Sequence, residues 1–228
     1  MKSIAIIPAR GGSVRVPGKN LALFSGKPAL AIVLETVRLS GVFESVLVSS
    51  DDAEILDAAR RTGAEPVTRP AHLADNITPI LPVVQHALEA WKGNADAVCM
   101  VVPTAVFIEQ RDLIRAGELL STEPELDYVI GVKRFESAPQ RALSMTPDGH
   151  VGMENRAAVD TRSQDLAPLF HDAGMFSFGR VAAWRRGVHS FLARTKGVEI
   201  ERYRAIDIDT PEDLEFARAV YHWRKQMP

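Results

Sequence analysis

The stretch Ile4-Ala5-Ile6-Ile7-Pro8-Ala9-Arg10-Gly11-Gly12-Ser13-Val14-Arg15-Val16-Pro17-Gly18-Lys19-Asn20 decides the architecture. Ile4–Pro8 is a short β-rich apolar run, and it empties into a turn that carries glycines and the cations Arg10, Arg15 and Lys19. A strand that opens into such a turn is the usual first unit of an α/β sheet, where ligands bind beyond the carboxyl ends of the strands.

The same alternation continues outward. Further strands are expected at Ser45–Ser49, Pro66–Thr68, Ala97–Val102 and Tyr128–Val132. Between them, 29–40, 52–61 and 80–91 carry helical spacing, and Gly41 and Gly63 stand just past the first two as stop signals. This predicts a largely parallel sheet covered by helices, a single domain over 1–228. From about 135 to 178, Pro139 and Pro147-Asp148-Gly149 break the alternation and predict a hairpin or extended arm, a candidate dimer contact. A strand over 198–209 then leads to a helix that begins at Thr210-Pro211-Glu212-Asp213, with Thr210 as N-cap and Pro211 in the first turn.

Composition excludes several functions. Hydrophobic residues at 46% and charged residues at 25% describe an ordinary globular chain. A formal charge of −2 argues against nucleic-acid binding. The apolar run before Arg10 is too short for a signal peptide or a membrane span, so a cytoplasmic protein is expected with no membrane partner. The lone Cys99 lies in an apolar run and reads as a buried strand thiol. No pair among the six histidines has metal-binding spacing.

The turn after the first strand has the composition of a phosphate cradle. Glycine backbone lets N–H groups approach phosphate oxygens, and the three cations offset a triphosphate's charge. It is not a Walker loop: Gly12 and Gly18 are separated by five residues where four are needed, and Asn20 replaces the Ser or Thr after Lys19. At the far end, Asp207-Ile208-Asp209 puts two carboxylates on one face of a strand, where both reach a hard cation such as Mg2+. Ser49-Ser50-Asp51-Asp52, Arg69-Pro70 and Pro103-Thr104 close other strands; Asp51 is expected to cap the next helix.

Together, Ile6-Ile7-Pro8-Ala9-Arg10-Gly11-Gly12-Ser13, Lys19-Asn20, Gly26-Lys27-Pro28, Ser49-Ser50-Asp51-Asp52, Arg69-Pro70, Pro103-Thr104 and Asp207-Ile208-Asp209-Thr210-Pro211-Glu212-Asp213 resemble the acylneuraminate cytidylyltransferase family. The likeness spans nearly the whole chain. Within that family, Gln140-Arg141-Ala142-Leu143, Thr161-Arg162-Ser163-Gln164-Asp165-Leu166 and His171-Asp172-Ala173-Gly174 look most like the branch that activates pseudaminic acid.

The resemblance implies a three-layer α/β/α, Rossmann-like nucleotide-diphospho-sugar transferase fold with a mixed sheet and a dimerisation arm. It also implies CTP and an acidic nonulosonic sugar as substrates, Mg2+ as cofactor, and a homodimer that completes each active site. Ala9, Arg10, Gly11, Gly12, Ser13, Arg15, Lys19, Asn20, Arg69, Pro103 and Thr104 would hold the nucleotide. Asp207 and Asp209 would bind the metal and, with Arg10 and Lys19, form the catalytic set. Gln140, Arg141, Arg162, Gln164 and His171 would contact the sugar, an arginine suiting its carboxylate.

Rival readings are a sialic- or legionaminic-acid synthetase, a 3-deoxy-manno-octulosonate cytidylyltransferase, whose Gln-Gly-Asp-Glu-Pro signature is absent here, and a nucleotide-binding protein that has lost activity. Val14 stands where the family usually carries lysine, Val102 where sialic-acid relatives often have Gln, and Val106 where proline is usual. Losing one charge-assisted contact costs ~1.5–3 kcal/mol, roughly ten- to a hundredfold in rate.

Overall fold

The computed structural model describes residues 1–227. Its centre is a seven-stranded sheet in the order β11-β7-β10-β6-β1-β4-β5. These strands are β1 (Ser3–Pro8), β4 (Ser45–Ser50), β5 (Glu65–Thr68), β6 (Ala97–Val101), β7 (Tyr128–Arg134), β10 (Phe170–Arg180) and β11 (Thr195–Glu199). β10 runs antiparallel to β6 and β7, and the other neighbours are parallel, so the sheet is mixed.

Both faces of the sheet are covered, which is why its strands read as continuous apolar runs. Ala5 and Ile7 pack on one side with α1 (Ala29–Leu39), α2 (Ala53–Arg61), α4 (Gln110–Thr122) and α6 (Pro211–Gln226), through Val33, Ile55, Leu113 and Ala217. Ile4 and Ile6 pack on the other with α3 (Ile80–Ala90) and α5 (Val181–Arg186), through Val84 and Trp184. Cys99 is buried in the first cluster, as its setting predicts.

Three expectations change. The helix α4 is not anticipated, although a Glu109–Asp112 capping box starts it and Leu113, Ala116 and Leu120 mark its buried face. The strand expected over 198–209 stops at Glu199; from Ile200 to Asp209 the chain runs without a ladder partner.

The arm also ends sooner than expected, because Phe170–Arg180 pairs with β6 and β7 in the sheet. Gly174, at φ 65°, interrupts its pattern, and the β7 register shifts between Asp172 and Ser177. The protruding part contains the hairpin β8 (Leu143–Met145) and β9 (Val151–Met153), closed at Thr146–His150 by the Pro147-Asp148-Gly149 turn. A smaller ribbon, β2 (Leu23–Phe24) with β3 (Lys27–Pro28), precedes α1.

β1 lies between β4 and β6, and the chain builds the sheet away from it on both sides. This is the switch point at which open α/β sheets place their ligand crevice.

Candidate active site

The turn after β1 is held open by backbone anchors. Ala9 N donates to Ser49 O at 2.9 Å, Asn20 Nδ2 to Arg10 O at 2.9 Å, and Gly11 N to Asp51 Oδ1 at 3.0 Å. A Cβ on Gly11 would meet Asp52 Oδ2 at 2.5 Å, so only glycine fits there. The expected roles of the two aspartates are corrected. Asp52, not Asp51, caps α2, accepting from Glu54 N and Ile55 N at 2.8 and 3.2 Å; Asp51 instead ties down the glycine turn.

Above the ends of β1 and β6 lies a cleft of about 380 Å³. Arg10, Ser13, Lys19, Asn20, Arg69, Pro103 and Thr104 line it, so seven of the residues expected to hold a nucleotide meet at one place. Arg69 is only 5% exposed and donates to Ser49 Oγ and O at 3.2 and 2.7 Å. Burial pulls its pKa below the usual arginine value, and nearby Arg10 adds to the effect, while Asp51 opposes it. Asn20, which lines the cleft, is buried as well, and its Oδ1 has no partner.

The opposite wall is a loop that the sequence did not single out. Arg10 Nη1 donates to Asp75 O and Asn76 Oδ1 at 2.6 and 2.5 Å, and Asp75 Oδ1 accepts from Thr78 N at 2.6 Å. The only local signal was an aspartate three residues before Thr78-Pro79, a common turn.

The segment that carries the paired aspartates comes from the other end of the chain to lie beside this site, although neither aspartate lines the cleft. Lys19 Nζ donates to Ile208 O at 2.6 Å and stands 3.5 Å from Asp209 Oδ1, and Arg15 Nη2 lies 2.8 Å from the same oxygen. Ile208 is buried, so Asp207 and Asp209 flank it on the open side, as alternation predicts even without a strand. Desolvation and the charge of Asp209 hold the Asp207 carboxyl above the ordinary aspartate range, against the pull of Lys19. Gly174 makes room for it: a Cβ there would stand 3.0 Å from Asp207 Oδ2.

The residues expected to contact a sugar lie on or beside the arm, and none lines this cleft within one chain. Gln140 Nε2 donates to Ala167 O at 2.8 Å, Arg141 Nη1 to Ser163 Oγ at 3.2 Å, and Arg162 pairs with Asp165 at 2.7 Å. Gln164 is exposed, and His171 stacks on Phe135 with ring centroids 4.6 Å apart. Arg141 lines a separate cavity of about 520 Å³ within the arm. Val14 is 67% exposed and also stays out of the cleft.

The family model described as Cytidylyltransferase matches residues 4–227, nearly the whole chain. The chain belongs to the cytidylyltransferase family. This cytidylyltransferase is 36% identical over 225 residues to the pseudaminic acid cytidylyltransferase of Campylobacter jejuni subsp. jejuni serotype O:2, with 97% of each chain covered. It is 26% identical to an N-acylneuraminate cytidylyltransferase of Streptococcus agalactiae serotype V, over 94% of this chain and 52% of that protein. Among solved structures, a CMP:2-keto-3-deoxy-manno-octonic acid synthetase complexed with CTP superposes with a TM-score of 0.75 at 19% identity, covering 98% of this chain and all of the other. That likeness establishes the shared fold. The cytidylyltransferase is thus a nucleotidyltransferase with a mixed, helix-covered sheet.

Proposed function

We propose that the chain transfers CMP from CTP to the anomeric hydroxyl of a nine-carbon acidic sugar, pseudaminic acid, releasing pyrophosphate. The observation that carries the reading is the meeting of the cationic turn with Asp209, through Arg15 and Lys19, beside the cleft. Full-length identity of 36% to a pseudaminic acid cytidylyltransferase supports the choice of sugar over the sialic, legionaminic and octulosonic alternatives.

The donor set suits magnesium. Among the described residues no cluster of three or more His, Cys, Asp or Glu could hold a metal alone. Two carboxylates with like-charge strain fit Mg2+, which takes one or two protein carboxylates and completes its shell with water and phosphate oxygens. Asp207 and Asp209 would hold it, and the bound ion would neutralise charge on the polyphosphate.

The chain's own residues supply position and charge. Arg10, Ser13, Arg15 and Lys19 would bind the triphosphate, and preorganised donors aimed at the departing pyrophosphate lower the barrier. Asn20, in the cleft wall, would help hold the base. Arg15, reaching Asp209 while Val14 faces solvent, would supply a cation beside the metal ligands where the missing lysine cannot, which speaks against an inactive protein.

The sugar contacts Gln140, Arg141, Arg162, Gln164 and His171 would serve a second copy's cleft. A homodimer fits the apolar arm surface, where Leu143, Met145 and Val151 are 61%, 73% and 64% exposed. A cytoplasmic location follows from dependence on CTP, and no described helix is long and apolar enough to cross a membrane.

The test is to incubate purified protein with CTP, Mg2+ and a panel of nonulosonic acids plus 3-deoxy-manno-octulosonate, following pyrophosphate and product mass. CMP-pseudaminate is expected. Product from another acid alone overturns the sugar, and CTP binding without pyrophosphate release overturns the enzyme reading.

A further inference from the structure

Asp207-Ile208-Asp209 lies on a segment that no sheet ladder supports, because β11 ends at Glu199. Something else must decide where the two carboxylates stand. Downstream, the answer is the start of α6, where Asp213 Oδ2 accepts from Asp209 N at 3.1 Å and Thr210 N at 2.8 Å. Upstream, three residues before Asp207, the chain is anchored by Arg204, whose side chain is 1% exposed.

Arg204 makes a fork into the sheet-facing start of α4. Its Nη1 donates to Asp112 Oδ2 at 2.6 Å and to Phe107 O at 3.2 Å, and its Nη2 to Asp112 Oδ1 at 3.0 Å. Its Nε donates to Glu201 Oε2 at 2.7 Å, closing a turn in which Arg204 N and Ala205 N both donate to Glu201 O. Asp112 is itself fixed, since the same Oδ2 accepts from Glu109 N at 2.9 Å to complete the capping box of α4. Behind it, Leu113, Ala116 and Leu120 are fully buried. A planar, bidentate guanidinium–carboxylate pair has little angular freedom, so the position of α4 passes to the backbone at residue 204.

We propose that Arg204 is a positioning residue for the paired carboxylates, its clamp on Asp112 setting where Asp207 and Asp209 stand beside the cleft. The inference rests on the reading of Asp207 and Asp209 as metal ligands. Nothing in the reaction itself requires a buried arginine 92 residues from its partner. A buried ion pair is moreover weak evidence of stability, since well-packed apolar replacements often do as well. Where such a pair holds a segment that lacks backbone pairing, specificity of position is the gain.

The discriminating variant is Arg204→Met with Asp112→Asn, which removes the charged fork without stranding either charge and leaves an amide oxygen to accept from Glu109 N in the α4 cap. Mn2+ is titrated into protein plus CTP without sugar, following the free-ion resonance signal, with circular dichroism and thermal unfolding recorded alongside. The folded double variant is expected to bind Mn2+ about tenfold more weakly, the scale seen when groups that orient metal ligands are lost. Its affinity for CTP without metal should hardly change. A purely structural role would move the unfolding temperature and leave Mn2+ affinity at the wild-type value, and that result overturns the proposal. Should the double variant fail to fold, Glu201→Ala loosens the clamp from its exposed side. Weaker Mn2+ binding there supports the proposal, and unchanged binding overturns it. Asp209→Ala separates the two readings: if it binds Mn2+ normally, the metal assignment itself fails, whereas loss there with normal binding in the clamp variants removes Arg204 alone.

Discussion

Arg15 donates from Nη2 to Asp209 Oδ1 at 2.8 Å, although 194 residues separate the two in sequence. The side chains are 68% and 41% exposed, and such surface pairs contribute only ~0–1 kcal/mol to stability. The contact therefore matters for what it joins. It puts an exposed cation on the carboxylate proposed to take the metal, beside the cleft proposed to take the nucleotide.

Arg15→Ala should consequently have opposite effects on two ligands. CTP affinity is expected to fall about tenfold, as one charge-assisted contact is lost. Mn2+ affinity should hold or rise, because Asp209 loses a competitor, and the melting temperature should move by no more than about 2–4 °C. Calorimetric titration of each ligand checks this; a parallel loss of both would contradict it.

Gly174→Ala is expected to damage the site more than its size suggests. The residue sits at φ 65°, where a Cβ costs ~1–2 kcal/mol, and that Cβ would stand 3.0 Å from Asp207 Oδ2. A displaced carboxylate should lower kcat by roughly tenfold, with a higher Mg2+ requirement. Rates measured across a magnesium series decide it: a fall in stability with an unchanged magnesium profile would separate Gly174 from Asp207.

Asp207 carries a stability cost that its removal should reveal. Desolvation first, then Asp209, raise its pKa above the ordinary aspartate value. The folded chain thus holds this proton more tightly than the unfolded chain. Its contribution to stability is present below the ordinary aspartate pKa and is lost as pH rises through the raised value, so the ionised form strains the fold at neutral pH. Because Asp207 is exposed and water screens the effect, Asp207→Asn is expected to raise the melting temperature at pH 7 by no more than about a degree, with the difference vanishing in acid, while activity is lost. Thermal scans at the two pH values would show a lower melting point at pH 7 if the reasoning is wrong.

Cys99 should be inert. It is fully buried, and desolvation lifts its thiol pKa well above the usual value, leaving almost no thiolate. A chromogenic disulfide reagent is expected to react only after unfolding, and Cys99→Ala to keep its kcat while losing ~1–2 kcal/mol of stability. Rapid labelling of native protein would place the thiol elsewhere.

A different balance holds for Arg204, where burial alone would lower the pKa but hydrogen bonds to Asp112 and Glu201 outweigh it and keep the group above its ordinary value. The guanidinium therefore stays charged.

What could be read from the sequence follows from interactions between near neighbours. Apolar runs report strands covered on both faces, and the caps at Thr210 and the stop at Gly63 report local backbone needs. The glycine-bearing turn and the aspartate pair declare their chemistry by residue type. The end of β11, the place of β10 in the sheet and the choice of Asp52 over Asp51 as cap could not be read this way, because each depends on which distant backbone groups are already paired. The tertiary structure alone decided that Arg15 meets Asp209, that Gly174 clears space for Asp207 and that Arg204 grips Asp112. Pairings of this kind arise when sheet order and helix packing close long loops, and no local pattern records the result.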